Sequence, residues 1–298
     1  WTYTWRASTV NPDLSLYPNR EAIAAQTWQA RRRSCVHRLL AGAGQAGLVA
    51  YREDPMLTLA ALAHGLTSEG EIVVATAEGE LSEHLAPGEA RGMDARLSIE
   101  KEAPDPAIQI VASAAHALGR LEWLGAAETA ELLVSGSLPE RVAEVAVAPG
   151  GRLARYSTGR ILLHDAAGVT PVMFDDVREQ HGMAMWQAES GADLYEAPGG
   201  ELLAMDILNG HPPCRLDSLF GRVLGGAVPG ALLSRQAVRM GCEHMTAAVL
   251  CLDVDRTGLT LMKVSHDDAT TAYVPFERPV ASGAQLALEL SALFDAGG

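Results

Sequence analysis

The sequence predicts an α+β protein in which an antiparallel β-barrel is followed by a smaller domain of helices and three strands. Short alternating segments follow one another closely between residues 46 and 172, with few helices between them. This spacing is typical of an antiparallel barrel and argues against a parallel, doubly wound sheet. A loose connection ending at Pro198-Gly199-Gly200 precedes a segment over 242–294 that predicts three strands and a closing helix.

The first region begins with an irregular, aromatic arm over 1–20 and a helix over Glu21–Leu40. The arginines of this helix, Arg31-Arg32-Arg33 and Arg38, predict a solvated face or local ion-pair partners. Alternation and turn residues then predict strands at Ala46–Tyr51, Leu57–Ala63, Glu71–Thr76, Ala95–Lys101, 108–124 (broken near Ala114–His116), Arg152–Ser157, Arg160–His164 and Val169–Val172. Short helices are predicted at Glu128–Val134 and Phe174–Gln180, while Arg141–Val147 fits either state.

The second region predicts a helical pair, a further helix, three strands and the closing helix. Its elements are Glu201–Leu208, Leu216–Leu224, Ala231–Arg239, Met245–Val254, Leu259–Val264, Thr270–Phe276 and Ser282–Phe294. Gly258 supplies the permissive backbone of a tight turn, and Pro275 marks a strand end because it cannot donate to a ladder. The predicted organisation is an arm over 1–20, a barrel over 21–185, a linker over 186–197 and a C-terminal domain over 198–298.

Composition limits the possible partners. The net charge of the 298-residue chain is −14, and Lys101 and Lys263 are its two lysines, which argues against nucleic acid and anionic membrane surfaces. The four cysteines contain no C-x-x-C pair, as expected for reduced thiols in a cytosol. No apolar run reaches the length of a membrane span. We therefore expect a soluble, cytoplasmic protein.

Several motifs carry residue types used in chemistry. Gly42-Ala-Gly44-Gln-Ala-Gly47 fits a dinucleotide fingerprint, but the predicted helix precedes it and the strand follows, so a helix end feeding a strand is the favoured interpretation. His211-Pro-Pro-Cys214 and Cys242-Glu-His244 contain metal-ligating types without a partner pair at zinc spacing. His64 is expected in a turn and His116 as a core histidine. His181 lies among Met183, Met185 and Trp186, a soft surrounding that suits haem or simple packing.

Two segments carry a resemblance to a known family: Leu252-Asp-Val-Asp255-Arg-Thr-Gly258-Leu-Thr-Leu261 and Val274-Pro-Phe276-Glu-Arg-Pro279-Val280. Together with the helical pair they resemble the C-terminal domain called domain of unknown function 2470. In the HugZ-type haem-utilisation family that domain follows a split β-barrel of the pyridoxamine-phosphate-oxidase type. The barrel half is similar through 54–63 and Arg120-Leu-Glu-Trp-Leu124.

The resemblance implies a split, FMN-binding-like barrel, homodimers formed through it, and haem or FMN as cofactor. The family helix pattern H-x-N-x-D-H-x-D maps onto Asn209 and His211, with Asp206 in place of the first histidine. The resulting hypothesis is a haem-binding protein with a handling or regulatory role, haem degradation being a further option. Its predicted ligand is His211 or His181, with Asp206 or Asn209 orienting the imidazole, and its predicted propionate-binding residues are Arg120, Arg155 and Arg215.

Two alternatives stay open from the sequence. One is an FMN-dependent oxidoreductase on the same barrel. The other is a cofactor-free dimeric regulatory protein that acts through a protein partner, which the aromatic arm around Trp1, Tyr3 and Trp5 suggests. The family's haem-degrading members are expected to ligate iron close to the C-terminus, and no histidine follows His266 here. Whether the protein is an enzyme is therefore left open.

Overall fold

The structure is a computed structural model that describes residues 23, 25–53, 56–77, 91–105, 109–189, 194, 200–237 and 248–296. Its helices are α1 Ala25–Leu40, α2 Ala126–Ser135, α3 Glu140–Val147, α4 Phe174–Glu189, α5 Gly200–Asn209, α6 Pro213–Leu224 and α7 Gly283–Asp295. Its strands are β1 Gln45–Ala50, β2 Leu57–Leu66, β3 Ile72–Thr76, β4 Arg91–Glu102, β5 Val111–Trp123, β6 Arg152–Ser157, β7 Arg160–Asp165, β8 Gly168–Met173, β9 Ala231–Ala237, β10 Val249–Asp255, β11 Gly258–Val264 and β12 Asp268–Pro275.

Six antiparallel strands close into a barrel in the order β4-β1-β2-β3-β6-β5, because β4 also pairs with β5. Strand β5 is shared between two sheets. Its C-terminal end pairs with β6, whereas residues 113–117 pair with β7, so that β7 and β8 leave the barrel as a side wing. The predicted fold class, α+β with an antiparallel barrel, is confirmed.

The barrel core is filled by alternate residues of the strands and by one side of α1. Leu48, Leu97 and Leu121 point inward and are almost fully buried, and Val36 and Leu39 of α1 pack against the same core. Strand β5 is continuous, so the predicted break near Ala114–His116 is wrong. Small alanines at the inward positions weaken the alternation of apolar side chains that would have revealed the strand.

The second domain is a four-stranded antiparallel sheet, β10-β11-β12-β9, packed against α5, α6 and α7. The segment Ala231–Arg239 was predicted to be helical; over Ala231–Ala237 it forms β9, paired with β12. Ala231 to Ser234 are all buried, and this tertiary burial overrides the helix propensity of alanine and leucine. The first residues of the predicted strand Met245–Val254 lie outside the described residues.

Helix α1 packs against both the barrel and the second sheet. Its Arg38 donates to both carboxylate oxygens of Asp253 on β10, at 3.0 and 2.5 Å, and Lys101 of β4 lies 3.1 Å from the same carboxylate. Arg31 pairs with Asp165 at 2.6 Å. The arginines Arg31 and Arg38 are thus buried ion-pair partners and do not form a solvated face.

The segment Arg141–Val147, for which the sequence allows either state, lies in helix α3. Two smaller differences from the sequence-based expectations remain. Helix α4 continues to Glu189, into the predicted linker. His64 lies in β2 and not in a turn; its Nε2 is 2.8 Å from the carbonyl oxygen of Leu39. The aromatic arm over 1–20 and the motif Cys242-Glu-His244 fall outside the described residues. Within the described part of the chain, no helix has the length and apolarity needed to cross a membrane.

Candidate functional site

The solvent-facing side of β4, β5, β7 and β8, here called the outer face, carries an unusual mixture of side chains. Along each strand, the residues of the outer face alternate with residues that point into the core, because successive side chains of a strand point to opposite sides. The pairing register places Ser98, His116, Leu162 and Pro171 in one row. The outer face comprises Arg96, Ser98, Glu100, His116, Leu118, Arg160, Leu162, His164, Val169, Pro171 and Met173.

His116 lies at the centre of the outer face and is held in a defined orientation. Its Nδ1 is 3.0 Å from the hydroxyl oxygen of Ser98, and its ring meets the ring of His164 edge-on, with 4.7 Å between centroids. Partial burial, and next the neighbouring His164, lower the pKa of His116, so the imidazole is neutral at neutral pH. With its proton on Nδ1, it donates to Ser98 and leaves the Nε2 lone pair for an outside ligand.

Three large apolar side chains of the outer face remain open to solvent. Leu118 is 65% exposed, Val169 53% and Met173 52%. Several large apolar side chains exposed on one face favour a surface that another molecule covers. The outer face therefore combines an apolar platform with a neutral nitrogen ligand.

Two exposed arginines of the outer face, one on each side of Leu118, have no ion-pair partner among the described residues. Arg96 pairs in register with Leu118, and Arg160 lies on the neighbouring strand β7, where it pairs with Met173. Since adjacent strands are about 4.8 Å apart, the two arginines project from backbone positions roughly 10 Å apart, on either side of Leu118. An anionic ligand lying on the platform would find a guanidinium at each side.

A cavity of about 650 Å³ opens beside the outer face, between β1, β2, β4 and α3. Ser98 belongs both to its wall and to the hydrogen bond that orients His116. This cavity is within the range of small-molecule sites.

Four of the residues predicted from the sequence come together elsewhere, at the corner between α5 and α6. Asp206 and Asn209 are exposed there, and the ring of His211 packs against Phe294 with 4.8 Å between centroids. The Arg215 guanidinium lies 5.8 Å from the same ring and pairs with Asp295 at 3.5 Å.

His181 lies in a third place, buried where α1 and α4 meet. Its Nδ1 is 3.0 Å from Nε2 of His37, and its Nε2 is 2.8 Å from the carbonyl oxygen of Thr67. Burial lowers the pKa of His181. Because both ring nitrogens are engaged, iron ligation by His181 would require this packing to open.

The predicted propionate-binding arginines of the barrel already have acidic partners. Arg120 lies 3.4 Å from Glu122 and 3.9 Å from Asp94. Arg155 lies 3.3 Å from Glu71 and 3.7 Å from Glu128. The structure thus places the predicted residues at three separate positions.

Sequence reasoning passed over His116, His164, Arg96 and Arg160. The available signal was local: Ser98 and His116 each lie two residues from a basic or large apolar residue on the same strand face. Their meeting depends on the register between β4, β5 and β7, which no local pattern specifies.

No protein-family model matches the chain, and no curated protein matches it. Among solved structures it is similar to a heme binding protein from Mycobacterium smegmatis, at 15% identity and a TM-score of 0.45 over 88% of this chain and 95% of that one. It is also similar to Atu2129, a protein of unknown function from Agrobacterium tumefaciens str. C58, at 17% identity and a TM-score of 0.35 over 92% and 98% of the two chains.

A third similar structure is a FAD and heme binding protein from Mycobacterium smegmatis, at 14% identity and a TM-score of 0.28 over 47% of this chain and 82% of that one.

Proposed function

We propose that this protein binds haem on the outer face and has a handling or regulatory role in haem or iron metabolism. The observation that carries the proposal is a neutral, oriented imidazole, that of His116, at the centre of an exposed apolar platform. Neutral imidazole is a common axial ligand of haem iron. When bound, haem would supply an iron centre whose behaviour depends on this ligand and its hydrogen bond to Ser98.

The remaining side chains of the outer face fit the rest of a haem molecule. Leu118, Val169 and Met173 offer apolar contact for the macrocycle. Arg96 and Arg160 have no acidic partner in the described residues, and guanidinium groups bind carboxylates bidentately. The arginines named from the sequence fit this role less well because carboxylates already neutralise them. His211, half-buried against Phe294, is retained as the alternative ligand.

The open outer face also supports a homodimer as part of the proposal. A second copy of the chain would cover Leu118, Val169 and Met173 and close the platform from the other side. Symmetric dimers commonly bury the same surface patch on both subunits. A cofactor-free dimeric interaction protein is the second candidate function, since the same exposed apolar side chains favour it.

FMN binding is a weaker candidate function than haem binding or a cofactor-free dimer. FMN requires cations for its phosphate, and Arg120 and Arg155 of the barrel are engaged by carboxylates. An FMN titration followed by flavin fluorescence tests this ordering; tight binding at one equivalent would reverse it.

The deciding experiment is a hemin titration of the full chain, followed by absorbance in the Soret region. We expect a saturable shift near one equivalent, which His116→Ala abolishes. The matched controls are His211→Ala and His266→Ala, both of which should retain the shift. A shift lost in His211→Ala but kept in His116→Ala would move the site to the α5–α6 corner and refute the proposed ligand.

Two further outcomes of this experiment distinguish the candidate functions. A complete absence of any shift, together with a dimer in sedimentation, would support the cofactor-free candidate. If hemin binds, the Soret band is followed after a reductant and oxygen are added. Loss of the band would add haem degradation to the function, whereas a stable band limits it to handling or regulation.

A further inference from the structure

The cavity beside the outer face has walls of three kinds. Its apolar floor is offered by Ala60 and Val111, while Ala46 and Leu62 line it from the barrel wall with their side chains buried in the barrel core. Gly47 deepens it, since this glycine lies at an irregularity of the β1–β2 pairing between Ala46 and Leu48 and adds no side chain. The cavity therefore has room for an apolar group of moderate size.

One wall of the cavity is negatively charged. Glu100 and Glu102 are two residues apart on β4, so both side chains point to the same side of the strand. Both are exposed and line the cavity. Neither has an ion-pair partner within the part of the chain that the structure describes, so the two carboxylates are free for a cationic group.

The positive charge at the cavity belongs to another element, helix α3. Arg141, in the first turn of α3, also lines the cavity, and it too has no ion-pair partner among the described residues. Gln45 and Ser98 add hydrogen-bonding groups between the charges. Carboxylates from a strand and a guanidinium from a helix thus meet around one apolar floor.

We infer that this cavity binds a small zwitterion with an apolar body, of the class of hydrophobic amino acids and dipeptides. The ammonium group would face Glu100 and Glu102, the carboxylate would pair with Arg141, and the side chain would cover Ala60 and Val111. A volume of about 650 Å³ is within the range of small-molecule sites and has room for a dipeptide. The cavity shares Ser98 and Glu100 with the outer face, but the proposed haem site assigns no role to Glu102 or Arg141.

The test is calorimetric titration of the full chain with leucyl-leucine as the probe. Two blocked analogues serve as ligand controls: N-acetyl-leucyl-leucine lacks the ammonium group, and leucyl-leucinamide lacks the carboxylate. We expect saturable binding of the free dipeptide and at least tenfold weaker binding of each analogue. Equal binding of all three, or no binding at millimolar concentration, overturns the inference.

Protein variants then assign each charge. The double variant Glu100→Gln/Glu102→Gln and the single variant Arg141→Gln should each weaken binding at least tenfold. Glu144→Gln, an exposed change on the same helix α3 away from the cavity lining, should leave it unchanged. Spermidine is the contrasting probe: tighter binding of this polyamine than of the dipeptide, unaffected by Arg141→Gln, would show a simple cation site and overturn the inference.

Discussion

Removing the charge of Asp253 should destabilise the whole protein. This carboxylate accepts two hydrogen bonds from Arg38 and lies 3.1 Å from Lys101. The two cationic side chains are only 9% and 5% exposed. Leaving a buried charge without its partner costs about 3–5 kcal/mol. Asp255 at 3.7 Å from Arg38 and Glu201 at 2.5 Å from Lys101 offset part of this cost, so we expect Asp253→Asn to lose about 3 kcal/mol.

Urea unfolding at pH 7, followed by far-ultraviolet circular dichroism, measures this loss. The matched control is Asp217→Asn, which breaks an exposed pair with Lys263 at 2.6 Å and should cost less than about 1 kcal/mol. A loss for Asp253→Asn that is no larger than that of the control would refute the reasoning.

A double variant separates loss of the pair from loss of one partner. Arg38→Met/Asp253→Leu removes both charges, so it should be less destabilised than the sum of the two single variants. Strict additivity would mean that the two side chains act independently, contrary to their bidentate contact.

Three other predictions concern pH, packing and assembly. The pKa of His37 is lowered to about 3, chiefly by burial, so below about pH 6.5 the unfolded chain binds a proton that the native one does not. Stability should therefore fall by about 2 kcal/mol between pH 7.5 and pH 5, and urea unfolding of His37→Gln should show a smaller fall. Gly119→Ala should lower the urea midpoint, because a Cβ there would meet the backbone of Ser157 and lie 2.9 Å from the Tyr156 ring, whereas Gly159→Ala meets nothing within 4 Å and should be neutral. Leu118→Glu should produce monomers in sedimentation if a second copy covers the outer face, and an unchanged dimer would contradict that assembly.

Amphipathic strands were the part of the fold that sequence reasoning predicted best. In β1, the buried Ala46, Leu48 and Ala50 alternate with more exposed residues, and the predicted bounds Ala46–Tyr51 differ from the observed ones by one residue at each end. The other barrel strands were predicted for the same reason. The helix predicted over Ala231–Ala237 was wrong for a different reason. The first four residues of β9 are all buried, so no alternation distinguishes this strand from a buried helix.

The candidate site was harder to predict because it depends on long-range register. His211 stood out through a local motif, and the structure places it at a corner with Phe294. The sequence predicts His116 as an ordinary core histidine. The pairing of β5 with β4 and β7 places Ser98 and His164 next to its ring. Whether an arginine is paired also depends on residues distant in the sequence. Arg120 of β5 lies close to Asp94 of β4, whereas Arg96, two residues after Asp94 on β4, has no acidic partner among the described residues.

The contact between Arg38 and Asp253 joins residues 215 positions apart, which affects the order of events during synthesis. At roughly 5–20 residues per second, helix α1 leaves the ribosome about 10–40 s before its partner strand. During that interval the side of α1 that later faces β10 presents charged groups to water. An apolar surface in the same position would attract other nascent chains. The ion pairs therefore keep this side of α1 hydrated until β10 emerges, whereas Trp28 of the same helix, which packs against Tyr273 of β12, is an apolar surface exposed over the same interval.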